Sequence, residues 1–264
     1  MLKRRQFGRF GVQKNWVIPY TVFLLVFVVV PLILIGIYAF TDADGTFSLM
    51  NFKKFFHHTE TINTFVYSVG IAIITTIASL LIGYPVAYIL SRNIFRYSNV
   101  IVMLFILPMW VNTLIRTLAT VALFDFMRLP LDEGALIFGM IYNFLPFMIY
   151  PIYNVLTKMD NSLIEAAQDL GAGTVKVFTR IIFPLSMPGI TSGIMMVFMP
   201  TISTFAIAEL LTMNNVKLLG TSVQESINNG MWNYGAAISL IMLLIIGISS
   251  LFTDEKSSEE GGLL

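Results

Sequence analysis

Six stretches of this chain are almost free of charged residues, and each is about long enough to cross a bilayer as a helix. A transmembrane helix needs about 20 mostly apolar residues to cross about 30 Å of hydrocarbon. The six stretches cover about 17–40, 65–90, 99–124, 135–156, 189–212 and 235–252. Because lipid offers the backbone no hydrogen-bonding partner, such a stretch folds as a helix. The sequence therefore predicts an all-α polytopic membrane protein with six transmembrane helices in one domain, 1–264.

The scarcity of charge excludes a soluble protein. Charged residues make up 12% of the chain and hydrophobic residues 56%, whereas a soluble domain has about 25% charged residues. The high hydrophobic content also excludes a disordered chain. The net charge of +1 gives no electrostatic reason to expect a nucleic-acid partner. Because the chain has no Cys, disulfides, Cys-based metal sites and thiol chemistry are excluded.

Lys and Arg residues lie mainly on one side of the predicted membrane. Eleven lie in the two terminal tails and in the connections after the second and fourth spans: Lys3, Arg4, Arg5, Arg9, Lys14, Arg92, Arg96, Lys158, Lys176, Arg180 and Lys256. The connections on the other side contain Lys53, Lys54, Arg128 and Lys217. Since positively charged loops remain in the cytoplasm, both termini are expected to be cytoplasmic.

The connection 158–188, between the fourth and fifth spans, predicts a helix outside the membrane. Ser162 and Glu165 have the spacing of a capping box, so a helix should start near Leu163. One face of this helix would be apolar and would consist of Leu163, Ala166, Ala167 and Leu170. An exposed apolar face needs cover, which could be the lipid surface or a partner subunit.

Glycine and proline residues divide the rest of this connection. Gly171 or Gly173 can end the first helix, one of them in a left-handed conformation. A second helical stretch is then expected from about Thr174 to Pro184, and Pro188 should open the fifth span.

The same connection carries a known motif. It contains Glu165-Ala166-Ala167, then Gly171 after three residues, and after nine more residues Ile181-x-Phe183-Pro184. This pattern resembles the EAA motif of ABC-importer permeases, with Phe183 in place of a Leu. The resemblance implies the MetI-like permease fold, in which 158–188 forms a cytoplasmic coupling helix that sits in a groove on an ATPase subunit. The residues it assigns to ATPase coupling are Glu165, Ala166, Ala167, Gly171 and Pro184.

Two further segments are similar to the spermidine/putrescine permeases of that family. They are Leu107-Pro-Met-Trp-Val-Asn-Thr-Leu-Ile-Arg116-Thr in the third span and Phe198-Met-Pro200-Thr-Ile-Ser-Thr-Phe-Ala-Ile-Ala-Glu209-Leu-Leu in the fifth. The resemblance implies an importer of polyamines, with another small organic solute as the alternative. A secondary transporter or a channel would explain the spans but not the connection that carries the motif.

The resemblance also implies the partners of the chain. They are a second, similar permease, a pair of ATPase subunits, an extracytoplasmic substrate-binding protein and the lipid bilayer of a bacterial cell membrane. The chain has no Gly-x-x-x-x-Gly-Lys-Ser/Thr phosphate loop, no His-Glu-x-x-His and no Gly-x-Ser-x-Gly. We therefore expect a non-catalytic chain that binds no cofactor or metal, with ATP and Mg²⁺ bound by the partner ATPase.

Two ionisable residues, Arg116 and Glu209, lie inside predicted spans, each toward the outer end. Such a residue costs about 2.5–3.5 kcal/mol at mid-helix and often marks a transport pathway. The two side chains could pair with each other, line the outer mouth of a pathway, or do both. The alternatives are that Arg116 reaches the outer lipid headgroups and that Glu209 is a charge at a helix end.

A cationic polyamine would favour acids and aromatic rings along its pathway. The acidic candidates are Glu209 and Asp125, and Arg116 is the candidate structural or gating residue. The aromatic candidates are Trp110, Tyr84 and Phe205.

Two shorter patterns have simpler interpretations. His57 and His58 lack a convincing metal partner, so we expect them in a solvated outer loop. Gly189 and Gly193 form a Gly-x-x-x-Gly pattern at the start of the fifth span, which predicts a face for close helix packing.

Overall fold

The structure is a computed structural model that describes residues 10–42, 44–92 and 97–261. Apart from one isolated antiparallel bridge between Thr41 and Phe47, all regular structure in these residues is helical. The prediction of an all-α protein is confirmed for this part of the chain.

The helices follow one another with short connections. They are α1 (Phe10–Leu24), α2 (Val30–Ala39), α3 (Met50–His57), α4 (Thr59–Ser91), α5 (Ser98–Ile106), α6 (Thr113–Phe126), α7 (Glu133–Thr157), α8 (Ser162–Asp169), α9 (Thr174–Val177), α10 (Phe183–Ser203), α11 (Ala206–Thr212), α12 (Leu219–Asn228) and α13 (Trp232–Gly261). Turns of π-helix at Leu25–Val29 and Phe178–Ile182 join α1 to α2 and α9 to α10. A 3₁₀ turn at Leu107–Trp110 follows α5.

Five continuous helical stretches in the described residues are long and apolar enough to cross a membrane. They are Val17–Ala39, Thr59–Ser91, Glu133–Thr157, Thr174–Ser203 and Trp232–Ser250. The first, second, fourth and sixth predicted spans each lie within one of these stretches or overlap most of it. A sixth crossing exists only if two bent helices are counted as one span.

The third span is broken, so its prediction as one helix over 99–124 was wrong. Val100–Trp110 and Thr113–Phe126 meet at an angle of 100°. The backbone of Val111 is extended, with ψ 134°. Asn112 then caps α6, because its Oδ1 accepts a hydrogen bond from the backbone N–H of Leu114 at 2.8 Å. The cap stabilises a new helix start in the middle of an apolar stretch.

The fifth span also differs from the predicted range of 189–212. Its helical stretch begins at Thr174, outside the predicted span, and ends at Ser203. Thr204 has an extended backbone, with ψ 144°, and α11 is a separate short helix. Glu209 therefore lies after the span and not at its end.

The sequence predicted that a helix ends at Pro184, but the helix continues through this residue. The π turn at Phe178–Ile182 carries α9 directly into α10, and the N–H of Phe183 bonds to the carbonyl of Phe178 five residues earlier. A proline in a helix interior crowds the carbonyl four residues before it, and the wider π turn precedes Pro184 at that point. The helix consequently continues through Pro184 and Pro188 to Ser203.

The core consists of α4, α7 and α10, which pack against one another. A Cβ added at Gly189 would lie 2.9 Å from the carbonyl oxygen of Pro151 and 3.0 Å from Cα of Ile152. A Cβ at Gly193 would lie 2.8 Å from Sδ of Met148. The prediction of a close-packing face at the two glycines is confirmed. To one side of this core, α2 packs against α13.

Candidate coupling site and transport pathway

The start of α8 is fixed by an aspartate and not by the expected capping box. The helix begins at Ser162, one residue before the predicted start, and Asn161 at its N-cap makes no side-chain capping bond. Instead, Oδ1 of Asp160 accepts a hydrogen bond from the backbone N–H of Ser162 at 2.9 Å. Hydrogen bonds from the backbone and then the side chain of Ser162 lower the pKa of Asp160, because they favour its charged form.

The end of α8 is a glycine turn of the predicted kind. Gly171 has a φ of +77°. Its N–H bonds to the carbonyl of Gln168 at 2.9 Å, and the N–H of Ala172 bonds to the carbonyl of Ala167 at 3.0 Å. These two bonds form a Schellman motif, which a left-handed residue closes. Gly173 has an ordinary φ of −68° and precedes α9, so Gly171 is the terminating glycine.

The apolar side chains of α8 do not form one face but point in two directions. Ile164 and Ala167 pack against the core. Leu163, Ala166 and Leu170 point away from it, with Leu163 48% exposed and Leu170 88% exposed. We call these three residues the α8 stripe. Ala167 alone of the four predicted residues is packed against the core, and no residue that the structure describes covers the stripe.

Glu165 is exposed beside the stripe, while Pro184 lies in the helix that follows the π turn. The structure therefore places Glu165, Ala166 and Gly171 on one projecting helix and its terminal turn. Pro184 does not belong to that helix, so it can contribute only through the stretch that joins α9 to α10.

The second span contacts the chain just before α8, at Asn161, and just after α9, at Phe178. We call residues 161–178 the α8 connection. These contacts were not predicted from the sequence. Arg92, directly after α4, donates from Nη1 to Oδ1 of Asn161 at 3.2 Å. Tyr84 is buried and lies edge-on to Phe178, with ring centroids 5.9 Å apart. Tyr84 is thus a packing residue beside the α8 connection, and a role for its ring in stacking against a cation stays a prediction. In the sequence, Arg92 indicates only the orientation of the chain in the membrane.

Arg116 is buried, with 5% of its surface exposed, and does not reach outward to headgroups. Its Nη1 donates to the backbone carbonyl of Asn143 at 3.3 Å. It has no carboxylate within 4 Å, since the one ion pair between described residues joins Lys217 to Glu225. The pairing of Arg116 with Glu209 is therefore not formed, although α11, which carries Glu209, packs against α6.

The other pathway candidates lie in different places. Glu209 is half-buried, and Asp125 is exposed near the end of α6. Trp110 is 85% exposed on the 3₁₀ turn before α6. Trp110 and Asp125 lie at opposite ends of α6, which spans about 20 Å at 1.5 Å per residue. The structure does not bring these two residues together. Phe205 is partly exposed at the break after α10.

His57 and His58 are exposed at the end of α3 and just after it. No group of three or more metal-ligating side chains exists within the described residues. The signal that could have located the break in the third span was Asn112, since Asn is a favoured N-cap residue.

Comparison with known proteins gives a consistent picture. The profile of the family described as "Binding-protein-dependent transport system inner membrane component" matches residues 79–254, about two thirds of the chain. The spermidine/putrescine transport system permease protein PotB of Haemophilus influenzae is 33% identical over 251 residues, which cover 85% of this chain and 87% of the relative. PotB of Escherichia coli K12 is 32% identical over 252 residues, covering 86% and 91%. A PotB homologue of Mycoplasma genitalium is 27% identical over 262 residues, covering 91% of each.

Two solved structures share the fold. A chain of a bacterial alginate ABC transporter, in complex with an alginate pentasaccharide-bound periplasmic protein, superposes with a TM-score of 0.76 over 94% of each chain. A chain of a bacterial ABC transporter that imports the acidic polysaccharide alginate gives a TM-score of 0.69, over 94% of this chain and 97% of the other. The sequence identities of 14% and 16% support similarity of fold alone.

Proposed function

Because the chain belongs to the family of binding-protein-dependent transport system inner membrane components, we propose that it is the transmembrane permease subunit of an ABC importer for spermidine and putrescine. The polyamine assignment is supported by the identities of 33% and 32% to PotB proteins over most of both chains. Permease subunits of this family are not catalytic, which agrees with the absence of a phosphate-loop motif from the sequence.

The observation that carries the proposal is the α8 stripe. Leu163, Ala166 and Leu170 form an exposed apolar row on a helix held by Asp160 at its start and by Gly171 at its end. An amphipathic helix of this kind fits a hydrophobic groove on a partner. We infer that α8 is the coupling helix and that the groove belongs to a PotA-like ATPase subunit, which binds ATP and Mg²⁺.

The membrane part of the importer requires further subunits. The stretch Val17–Ala39 is long and apolar, yet most of its large side chains are exposed. Lipid and a second permease of the PotC type would cover this and other exposed apolar faces. A PotD-like binding protein would deliver substrate from outside. The chain would lie in the inner membrane of a bacterium with both termini in the cytoplasm.

Transport would follow from movement of α8. ATP-driven closure of the two ATPase subunits would shift the coupling helices of the two permeases and change the side from which the pathway is open. A ligand moves such an equilibrium only if it binds the two states with different affinity, so the nucleotide is the biasing ligand. The π turn at Phe178–Ile182 joins this movement to α10 in the core.

The pathway residues are proposed with the polyamine substrate. Glu209 and Asp125 would attract the cation, and exposed Trp110 would offer it a ring. Arg116 would repel a cation, and its buried position suits a structural or gating role.

The test is whether the α8 stripe binds the ATPase. Leu170→Asp places a charge on a side chain that is 88% exposed, so the fold of this chain should not change. We expect this variant to insert normally but to lose co-purification of the ATPase, whereas the control Leu170→Met keeps it. Retention of the ATPase by Leu170→Asp would contradict the proposed docking.

A further inference from the structure

Three side chains at the end of α4 contact both ends of the α8 connection. Tyr84, Tyr88 and Arg92 follow one another at intervals of four residues, so they lie on one face of the helical path. Arg92 contacts the residue before α8, and the two tyrosines contact Phe178, which follows α9. Span two therefore holds a connection that joins spans four and five.

The first anchor joins α4 to the start of α8. Nη1 of Arg92 donates to Oδ1 of Asn161 at 3.2 Å. The guanidinium carbon of Arg92 lies 5.0 Å from the centre of the Tyr88 ring, which is a cation–π distance. Asn161 is the N-cap residue of α8, and its backbone carbonyl accepts a hydrogen bond from Glu165 at 3.1 Å. Arg92 thus contacts Tyr88 on one side and the N-cap residue of α8 on the other.

The second anchor lies beyond the far end of α8. The rings of Tyr88 and Phe178 meet edge to face, with centroids 5.7 Å apart and planes at 89°. Tyr84 contacts the same ring at 5.9 Å, and its hydroxyl lies 3.0 Å from Oγ of Ser186 in α10. Phe178 is the first residue of the π turn that joins α9 to α10. Tyr88 therefore takes part in both anchors.

We propose that Arg92 is a positioning residue that clamps the coupling helix to span two through Tyr88 and Asn161. We call these three residues the α8 clamp. A helix anchored on both sides moves together with the element that holds it, because a packed and hydrogen-bonded network transmits displacement. ATPase-driven movement of α8 then reaches span two directly, in addition to spans four and five. This inference rests on the proposed function for the origin of the movement, but the clamp itself is a property of this chain.

The first experiment measures how firmly the clamp holds α8. The chain has no Cys, so Ile89→Cys on α4 and Gln168→Cys on α8 provide two positions for spin labels. We expect a narrow distribution of the distance between the labels, with and without ATP, in the otherwise unchanged complex. Arg92→Ala should broaden it, and Arg92→Lys, which keeps a cation beside Tyr88, should restore part of the narrowness. An Arg92→Ala distribution as narrow as that of the unchanged complex would overturn the clamp.

The matched control is Arg180→Ala. Arg180 lies in the π turn of the same connection and is exposed, and its side chain makes no hydrogen bond or ion pair with any residue that the structure describes. This variant should leave the distance distribution unchanged. Broadening by Arg180→Ala equal to that by Arg92→Ala would show a general effect of lost charge, and this result also overturns the clamp.

The second experiment measures coupling in proteoliposomes that contain the complete importer. Arg92→Ala should lower the spermidine taken up per ATP hydrolysed by about two- to five-fold, the size expected for an exposed cation–π contact. Co-purification of the ATPase should stay unchanged. An unchanged ratio in an importer that does transport spermidine counts against the clamp. If the unchanged importer moves no spermidine, the proposed substrate fails, whereas the distance measurement still decides the clamp.

Discussion

Nη1 of Arg116 in α6 donates a hydrogen bond to the backbone carbonyl of Asn143 in α7, at 3.3 Å. Asn143 lies three residues before Pro146 in α7. Arg116 thereby joins the second half of the broken third span to the fourth span. Nε of Arg116 and Oδ1 of Asn143 are buried and have no hydrogen-bonding partner among the described residues. Burial of a charge with so few partners is costly.

Arg116→Met should separate the effect of this side chain on stability from its effect on transport. Arg116 has no ionic partner among the described residues, so its burial carries a desolvation cost that an apolar side chain of similar size does not. The unfolding temperature in detergent should therefore stay the same or rise. Uptake of labelled spermidine should fall by about tenfold or more, because a hydrogen bond from a charged donor contributes about 1.5–3 kcal/mol. Arg116→Lys, which keeps a charge, is the control. Full uptake by Arg116→Met would rule out a role in transport.

Gly171 and Gly173 form a matched pair for testing the end of α8. Ala at position 171 would have to adopt a φ of +77°, which costs about 1–2 kcal/mol for an L-residue. No atom lies within 4 Å of the added Cβ at either position, so the effect is one of backbone conformation and not of collision. Gly171→Ala should reduce ATPase co-purification and uptake, whereas Gly173→Ala should change neither. Equal behaviour of the two variants would contradict the assignment of Gly171 as the terminating residue.

The close contact between α7 and α10 predicts different costs at its two glycines. Gly189→Ala would press a methyl group against backbone atoms of Pro151 and Ile152, and overpacking of this kind costs about 1–3 kcal/mol. The nearest atom to a Cβ at Gly193 is Sδ of Met148, which belongs to a flexible side chain. Thermal unfolding in detergent should rank Gly189→Ala as the less stable variant.

Gly70→Ala in α4 provides the control for these helix glycines. Nothing lies within 4 Å of a Cβ at Gly70, and Ala exceeds Gly in helix propensity by about 1 kcal/mol. The unfolding temperature should stay the same or rise. Destabilisation by Gly70→Ala as large as that by Gly189→Ala would mean that the close packing is not the cause.

The hydrogen bonds of Asp160 determine how the stability of the start of α8 changes with pH. Its pKa is lower in the folded protein than in the unfolded chain, because the charged carboxylate accepts hydrogen bonds from Ser162. A lowered folded pKa stabilises the folded state above the unfolded carboxyl pKa of about 3.9, and this contribution is lost as the pH falls through the lower folded value. ATPase co-purification should therefore show no Asp160-dependent change between about pH 6 and 8.

Variants at Asp160 test the same cap without a change of pH. Asp160→Ala removes the acceptor and should weaken co-purification of the ATPase at neutral pH. Asp160→Asn keeps an acceptor oxygen for the backbone N–H of Ser162, so it should retain most of the binding. Identical binding by the Ala and Asn variants would show that this cap does not support docking.

Hydropathy located the apolar stretches, of which five overlap a continuous helix long enough to cross a membrane, but it did not predict the path of the chain within them. Hydropathy depends on composition alone. Because Val100–Trp110 and Thr113–Phe126 are both apolar, it does not detect the 100° bend between them. The bend depends on Pro108 and on the Asn112 cap, whose short-range signals were present in the sequence. The sequence signals the break at Thr204 more weakly. Pro200 lies four residues before the break, but α10 also contains Pro184 and Pro188 and does not break there.

The end of α8 was predictable because its signals are local. Gly171 closes the end of α8, where its own N–H bonds to the carbonyl of Gln168 three residues earlier and the N–H of Ala172 bonds to that of Ala167 five residues earlier. Such spacing can be read from sequence. The partner of Arg116 was not predictable, because Asn143 is 27 residues away and contributes only its backbone carbonyl. The contact of Arg92 with Asn161 spans 69 residues and depends on how α4 packs beside α7.

The most direct test is the uptake of labelled spermidine by cells that lack this chain, with the wild-type chain and Gly171→Asp restored separately. We expect deletion to abolish uptake, the wild-type chain to restore it, and Gly171→Asp to leave it low although the protein is in the membrane. Uptake that is unchanged by deletion, in cells with no other polyamine importer, would contradict the assignment of the chain to polyamine transport.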